Sequence, residues 1–339
     1  MKNNFLFIGP RKLKDNPNKT GGVIILFEDL LSFCENYNIN YRVIDTNKAN
    51  YNNRFFAYCQ ILFALIVQVP KVKTVSLHGT ANDYLLIAPF ALLITKLFNK
   101  QFTLRKFAGN FIEVYENYSD FQRMIIKKIL QKSSSNFFET KYLVEYFSRY
   151  NKHTFWFPNV RHKSAVKVKN SFEKRFVYLG AIKKEKGIDI LCNASNLLSD
   201  SYTIDLYGTL DDGYSENDFD NFNITYRGPL KHSDVINNLL LYDVLILPSL
   251  REGYPGVIIE ALSIGMPIIA TNLPSIEEMI DNSSSVLIDP LNVVQLKEAI
   301  LSFDENNYQK KSQAALKQFE NFDTEIQTKL FFNRMQTHA

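Results

Sequence analysis

Short apolar runs alternate with amphipathic stretches along almost the whole chain, and that alternation leaves few folds open. In the first half FLFIG (5–9), YRVID (41–45), KTVSLHG (73–79), FTLRKF (102–107) and SNFFE (135–139) read as strands. In the second half FVYLG (176–180), YTIDLYG (202–208), ITYRG (224–228), DVLILP (243–248), PIIAT (267–271) and VLID (286–289) do so. Helical patterns lie between them at 23–35, 54–68, 84–98, 119–132, 140–149, from Gly187, 233–241 and 257–264, and again from about Asn307. Strands that are apolar throughout must be covered on both faces, which crossover helices of a parallel sheet achieve. At 339 residues the chain is long for one core. Two Rossmann-like α/β domains facing across a cleft are expected, over 1–160 and 161–310, joined near Phe157-Pro158-Asn159. The helical tail, 311–339, is expected to cross back onto the first domain. Ligands of such sheets bind outside the carboxyl ends of the strands, so the cleft is the expected site.

Charge also divides the chain near its middle. Residues 1–170 hold 25 Lys and Arg against 11 Asp and Glu, while 171–339 hold 14 against 24. The basic half, with a net charge of +14, would attract a polyanion such as nucleic acid, an anionic membrane surface or a phosphorylated substrate. No RNP-like, zinc-finger or KH-type pattern accompanies the charge, which argues against nucleic acid. FQRMIIKKILQK (121–132) reads as a basic amphipathic helix able to lie in a membrane interface, or equally as a core helix with a solvated basic face. The opening MKNNFLFIGP reads as a buried first strand rather than a secretory signal. The apolar stretch from Phe55 to Val69 is too short and too interrupted by glutamine to span a bilayer. Cys34, Cys59 and Cys192 lack ligand spacing, so neither a metal site nor a disulfide framework is expected, and a reducing, cytoplasmic setting is.

The stretch that carries chemistry is DVLILPSLREGYPGVIIEALSIGMPIIAT, 243–271. A buried strand runs into a Gly/Pro-rich turn, and an apolar helix opens near Gly256. Amides at such a helix start have no intrahelical partner and suit a phosphate. Glu252 lies in the turn and Glu260 in the helix, and carboxylates accept paired hydrogen bonds from vicinal hydroxyls. The spacing alone is weak; its setting between strand and helix gives it weight.

In these residues the sequence resembles the family 4 retaining glycosyltransferases of GT-B fold, of the bacterial surface-polysaccharide type. EGYPGVIIE stands as that family's E-x7-E motif, after Pro248-Ser249 and before ALSIGMPIIATNLPSIEEMI. KKEKGIDILCNA resembles its Lys-Gly helix start and ITYRGPLKHSDV its base-side loop, where Pro229 and Leu230 fall. Gly21-Gly22 and His78-Gly79 stand where the family has a glycine loop and an active-site histidine. The resemblance implies a nucleotide-sugar donor (UDP-, GDP- or ADP-linked) and no cofactor or metal. Glu260 would hold the donor ribose, and Glu252 the transferred sugar. Gly253, Tyr254 and the amides of Gly256 and Val257 would line sugar and phosphate. Lys186 would neutralise the departing diphosphate, and Gly22 would let backbone approach it. His78, with ring or carbonyl beside the anomeric centre, and Glu252 would be the catalytic pair. Phe107 and Gly109 would line the acceptor side. The family commonly has Arg after the glycine of FVYLG, where this chain has Ala181; Lys183 or Lys184 would have to replace that clamp.

The resulting expectation is a retaining transfer to a glycan acceptor, lipid-linked, in capsule, O-antigen or exopolysaccharide assembly. It places the enzyme as a peripheral protein at the inner face of the cytoplasmic membrane. Two readings compete: a catalytically weakened homologue acting as a scaffold, resting on Ala181, and a basic nucleic-acid-binding protein, which leaves the glutamate pair without a role.

Overall fold

The computed structural model describes residues 5–16, 21–107 and 109–336; part of the loop before Gly21, Ala108 and His338 lie outside the described residues. The chain forms two units. The first ends at Asn159 and regains the chain from Thr324, and the second runs Val160–Asp323.

The first unit is built on six strands: β1 Phe5–Gly9, β2 Tyr41–Asp45, β3 Thr74–Gly79, β4 Gln101–Lys106, β5 Ser135–Phe138 and β6 Thr154–Trp156. All pair in parallel, in the order β2-β1-β3-β4-β5-β6. The second unit repeats the plan with β7 Arg175–Leu179, β8 Thr203–Tyr207, β9 Thr225–Tyr226, β10 Val244–Leu247, β11 Ile268–Thr271 and β12 Ser285–Ile288. Its order is β12-β11-β10-β7-β8-β9, again parallel throughout. β1, β3, β10 and β11 are buried at every position, as strands covered on both faces must be. The two Rossmann-like sheets expected from the alternation are present.

Local chemistry sets the helix starts. The Asn53 side chain accepts from the Phe56 amide to open Arg54–Gln68, and Thr140 accepts from Leu143 to open Lys141–Ser148. The stretch read as one helix over 84–98 is two, Ala81–Leu86 and Ala88–Leu97. Pro89 falls at the start of the second, where its missing N–H costs nothing, but it could not continue the first. Strand β6 and helices Phe111–Glu116, Pro274–Glu277 and Val293–Leu301 have no counterpart in the sequence reading; each is short or weakly periodic. Helix Asp120–Lys132 has the buried apolar side that the core alternative requires. Its Ile126, Ile129 and Leu130 are buried, the helix packing on Ala81–Leu86 and Ala88–Leu97, while Phe121 and Met124 are exposed.

The tail divides at a different point from the one expected. Helix Glu305–Phe319 belongs to the second unit, where it packs on helix Gly256–Ser263, and the return begins only at Thr324. Helix Thr324–Gln336 then completes the first unit. The Phe331 ring lies 4.6 Å from that of Phe137 and 4.7 Å from that of Phe157, and Phe332 meets Phe5 at 5.2 Å. A fully buried aromatic at a junction of strands carries a large share of that docking. Phe331→Ala is expected to lower stability by about 3–5 kcal/mol in denaturant unfolding; a loss below about 1 kcal/mol would mean that the returning helix is not part of the first unit's core.

Candidate active site

In the second unit, the site begins where β7 ends. After Gly180 and Ala181 comes a 3-10 turn, Lys184–Lys186, and then Gly187 opens helix Ile188–Ser195 at φ +70°. A Cβ on Gly187 would stand 2.0 Å from the Pro248 carbonyl oxygen, so only glycine allows this backbone to press against the exit of β10. The Leu250 amide donates to the Glu185 carbonyl at 2.8 Å and ties the two loops together. That contact brings Lys186 to Glu252: Nζ donates to Oε1 at 2.7 Å, and the Ser249 hydroxyl donates to the same oxygen at 2.7 Å. The Glu252 carboxylate is mostly buried, and its own carbonyl accepts from Ser275 at 3.0 Å. Buried charge at this position is tolerable because a cation and a hydroxyl both answer it.

Helix Gly256–Ser263 follows the turn. Pro255 at its cap supplies no side-chain acceptor for the first-turn amides. Glu260 is buried one turn in, and its Oε1 accepts from Arg161 Nε at 2.8 Å. A Cβ on Gly256 would meet Arg161 Nη2 at 2.4 Å, so the guanidinium lies over the helix start. Arg161 is itself anchored, its amide donating to the Phe322 carbonyl at 3.0 Å. Sequence reasoning missed Arg161. It stands 99 residues from its partner, and no local spacing links them.

The remaining expected residues of this unit fall around that core. Tyr254 is buried with its ring 6.3 Å from Phe322, Gly253 is exposed, and Val257 is half-buried in the first helical turn. Pro229 and Leu230 follow β9, at the strand ends two places along the sheet from β7. The Gly208 amide donates to the Gly228 carbonyl at 3.0 Å and fixes that loop. At Ala181, Tyr178 donates its hydroxyl to the carbonyl at 2.8 Å. Lys183 is paired with Glu185, and Lys184 is exposed. Together these groups offer two carboxylates for hydroxyls, and a lysine, an arginine and uncapped amides for an anion.

The first unit holds Gly22, His78, Phe107 and Gly109. Gly22 opens helix Gly22–Asn36 with an ordinary φ, and a Cβ there would meet nothing within 4 Å among the described residues, so the local fold does not require glycine. His78, at the end of β3, is fully buried. Its Nε2 shares a hydrogen bond with Ser76 Oγ at 2.9 Å, and Phe7, Phe27, Phe107 and Phe331 surround the ring at 5.3–6.2 Å. The expectation for its ring does not fit this enclosure, and only its main-chain carbonyl remains open to that role. Phe107 likewise is packed in the core, its ring fully buried with the Arg105 guanidinium 4.9 Å from its centroid. Gly109 is half-buried ahead of helix Phe111–Glu116.

Arg105 is fully buried. It lies 3.8 Å from the Phe157 ring centroid and donates to the Pro158 carbonyl at 3.4 Å; burial pushes its pKa down to about 10. Burial, with Arg105 adding repulsion, holds the His78 imidazole well below its usual range. The unfolded chain takes that proton first, near pH 6.5, so the neutral ring's contribution is complete above that pH and is lost as pH falls below it. Unfolding free energy should therefore decline below about pH 6.5, by at most about 1.4 kcal/mol per unit from this group. His78→Gln should flatten that slope, and an unchanged slope would contradict the assignment.

Residues 173–306 match the family model described as glycosyl transferases group 1. The chain is 32% identical over 128 residues to a putative teichuronic acid biosynthesis glycosyltransferase, TuaC, of Bacillus subtilis, covering 38% of this chain and 32% of that one. It is 28% identical over 152 residues to an uncharacterized 41.2 kDa protein in the cps region of Klebsiella pneumoniae, covering 40% of this chain and 42% of that one. The chain thus spans less than half the length of these curated relatives. Among solved structures it is similar to Anabaena HepE in complex with UDP, at a TM-score of 0.73 and 12% identity, over 98% of this chain and 100% of that one. The chain has the GT-B fold, and within it residues 173–306 are similar to the group 1 glycosyltransferases.

Proposed function

We propose that the protein is a retaining glycosyltransferase of the family 4 type, moving a sugar from a nucleotide sugar to a glycan acceptor in surface-polysaccharide biosynthesis. One observation carries the reading. Glu252 and Glu260, eight residues apart, flank the uncapped start of one helix, and each is held through Oε1 by a cation from a distant segment. A carboxylate held through one oxygen keeps acceptor capacity for a pair of hydroxyls. The named role of TuaC and the cps-region setting of the Klebsiella protein support the pathway class.

In this reading Glu260 receives the ribose hydroxyls and Glu252 those of the transferred sugar, beside Gly253 and Tyr254. Lys186 and the amides of Gly256 and Val257 face the diphosphate, and Pro229 and Leu230 lie on the base side. As the glycosidic bond stretches, negative charge grows on the diphosphate, and the Lys186 ammonium stabilises it without a metal. To the His78 carbonyl we assign the stabilising of positive charge developing at the anomeric carbon, and to Gly22 a backbone that the phosphates can approach. Arg161 supplies the guanidinium that Ala181 does not, which weighs against the scaffold reading. The acceptor is lipid-linked, and the enzyme works as a peripheral protein at the inner membrane face.

The test is turnover of UDP-, GDP- and ADP-sugars with glycan acceptors, followed by nucleoside diphosphate release and by NMR of the new linkage. The expected result is release from one nucleotide class, retained anomeric configuration, and a rate unaffected by chelator. Lys186→Met should lower kcat by about 10²–10³-fold with a smaller change in KM. An inverted product would overturn the retaining assignment, and full activity in Lys186→Met would overturn the role of that lysine.

A further inference from the structure

We propose that the outward face of helices Arg54–Gln68 and Ala88–Leu97 in the first unit is a docking surface for an anionic lipid bilayer. The two helices pack side by side, and the second also packs on helix Asp120–Lys132. Their inward residues, Ala57, Ile61 and Leu65 on one and Ala88, Ala91 and Thr95 on the other, are buried. An ordinary surface helix would then turn polar residues outward. These do the opposite. Phe56, Phe63 and Ile66 form an outward stripe on the first helix, and Phe90, Leu93 and Leu97 form one on the second. Phe63, Leu93 and Leu97 are 68%, 66% and 77% exposed. Single exposed apolar side chains are ordinary, but two adjacent stripes make a patch of the kind that marks an interaction site.

Charge selects the occupant. Between 54 and 100 the basic residues are Arg54, Lys71, Lys73, Lys96 and Lys100, and the one acidic residue is Asp83. Asp83 is buried and paired with Lys48 at 2.6 Å, so it offers no negative charge to the surface. The neighbouring helix adds exposed Lys127, Lys128 and Lys132. That helix also carries an exposed acid, Asp120, but it is paired with Arg123 at 2.6 Å, and an apolar face whose surrounding charge is mainly cationic fits acyl chains below and anionic headgroups around. A second copy docking by the same face would set these cations against one another. Among the described residues no helix is long and apolar enough to cross a membrane, so this face would lie on the bilayer. The inference deepens the peripheral-membrane part of the proposed function. It moves the main contact from the 121–132 helix, whose Ile126, Ile129 and Leu130 are spent in the core, and uses none of the donor residues.

The experiment is co-sedimentation of the full chain with phosphatidylcholine vesicles, with and without phosphatidylglycerol. Wild type should bind the anionic vesicles, less so as salt rises, and Phe63→Glu with Leu93→Glu should lower partitioning by about a hundredfold. These side chains are exposed, so the thermal midpoint should hold. As a second variant, Lys96→Glu with Lys100→Glu should remove the preference for anionic lipid. Failure of wild type to bind, or equal binding by the Phe63/Leu93 variant, would overturn the proposal. So would a self-associated wild type that the same variant renders monomeric, because the face would then belong to a second copy. Nucleotide binding measured on the same preparations separates the two readings: loss of the donor-site reading leaves vesicle binding intact, and loss of the surface leaves nucleotide binding intact.

Discussion

The close approach of Gly187 to the Pro248 carbonyl governs the second unit's chemistry. With φ at +70° and no room for a Cβ, that glycine lets the loop after β7 lie directly on the exit of β10. Because the two strands are neighbours in the sheet, the approach delivers Lys186 to Glu252. A buried carboxylate without a partner is costly, and so is a buried cation. The pairing therefore lets the fold keep both groups at one end of a parallel sheet, where the backbone already points amides outward. Arg161 does the same for Glu260 from a segment distant in the chain that is anchored on Phe322. Glu252 and Glu260 are thus each paired with a cation inside the protein, so that a hydroxyl meeting either carboxylate joins an existing hydrogen-bond set rather than a bare charge.

The first unit places its polar groups differently. His78 and Arg105 sit within an aromatic cluster that the returning helix completes with Phe331. Burial, with Arg105 adding repulsion, favours the neutral imidazole, and its ring packs among four phenylalanine rings. Gly22 contrasts with Gly187: nothing near it in the described structure excludes a side chain.

Much of this was legible in the sequence because parallel sheets buried on both faces produce uninterrupted apolar strands, and most of the expected strands fall within a residue or two of those observed. EGYPGVIIE was legible for a similar reason, since its two glutamates and its helix start are local. What escaped is non-local or weakly patterned. The Arg161–Glu260 pair joins residues far apart in the chain, and β6 has three residues and no period to read. The split of the tail at Thr324 is invisible because both helices have similar composition and only packing assigns them to different units. His78 shows the limit of motif reading: its position was identified, but only the structure shows four phenylalanine rings around its side chain.

The central claim is that the two glutamates divide the donor between them, Glu260 taking the nucleoside and Glu252 the sugar. Calorimetric titration of a nucleoside diphosphate and of its nucleotide sugar into wild type, Glu252→Gln and Glu260→Gln tests it most directly. The account predicts that Glu260→Gln weakens both ligands by about tenfold or more, while Glu252→Gln weakens the nucleotide sugar and leaves the bare diphosphate nearly unchanged. Equal losses for both ligands in both variants, or no binding by wild type, would contradict it.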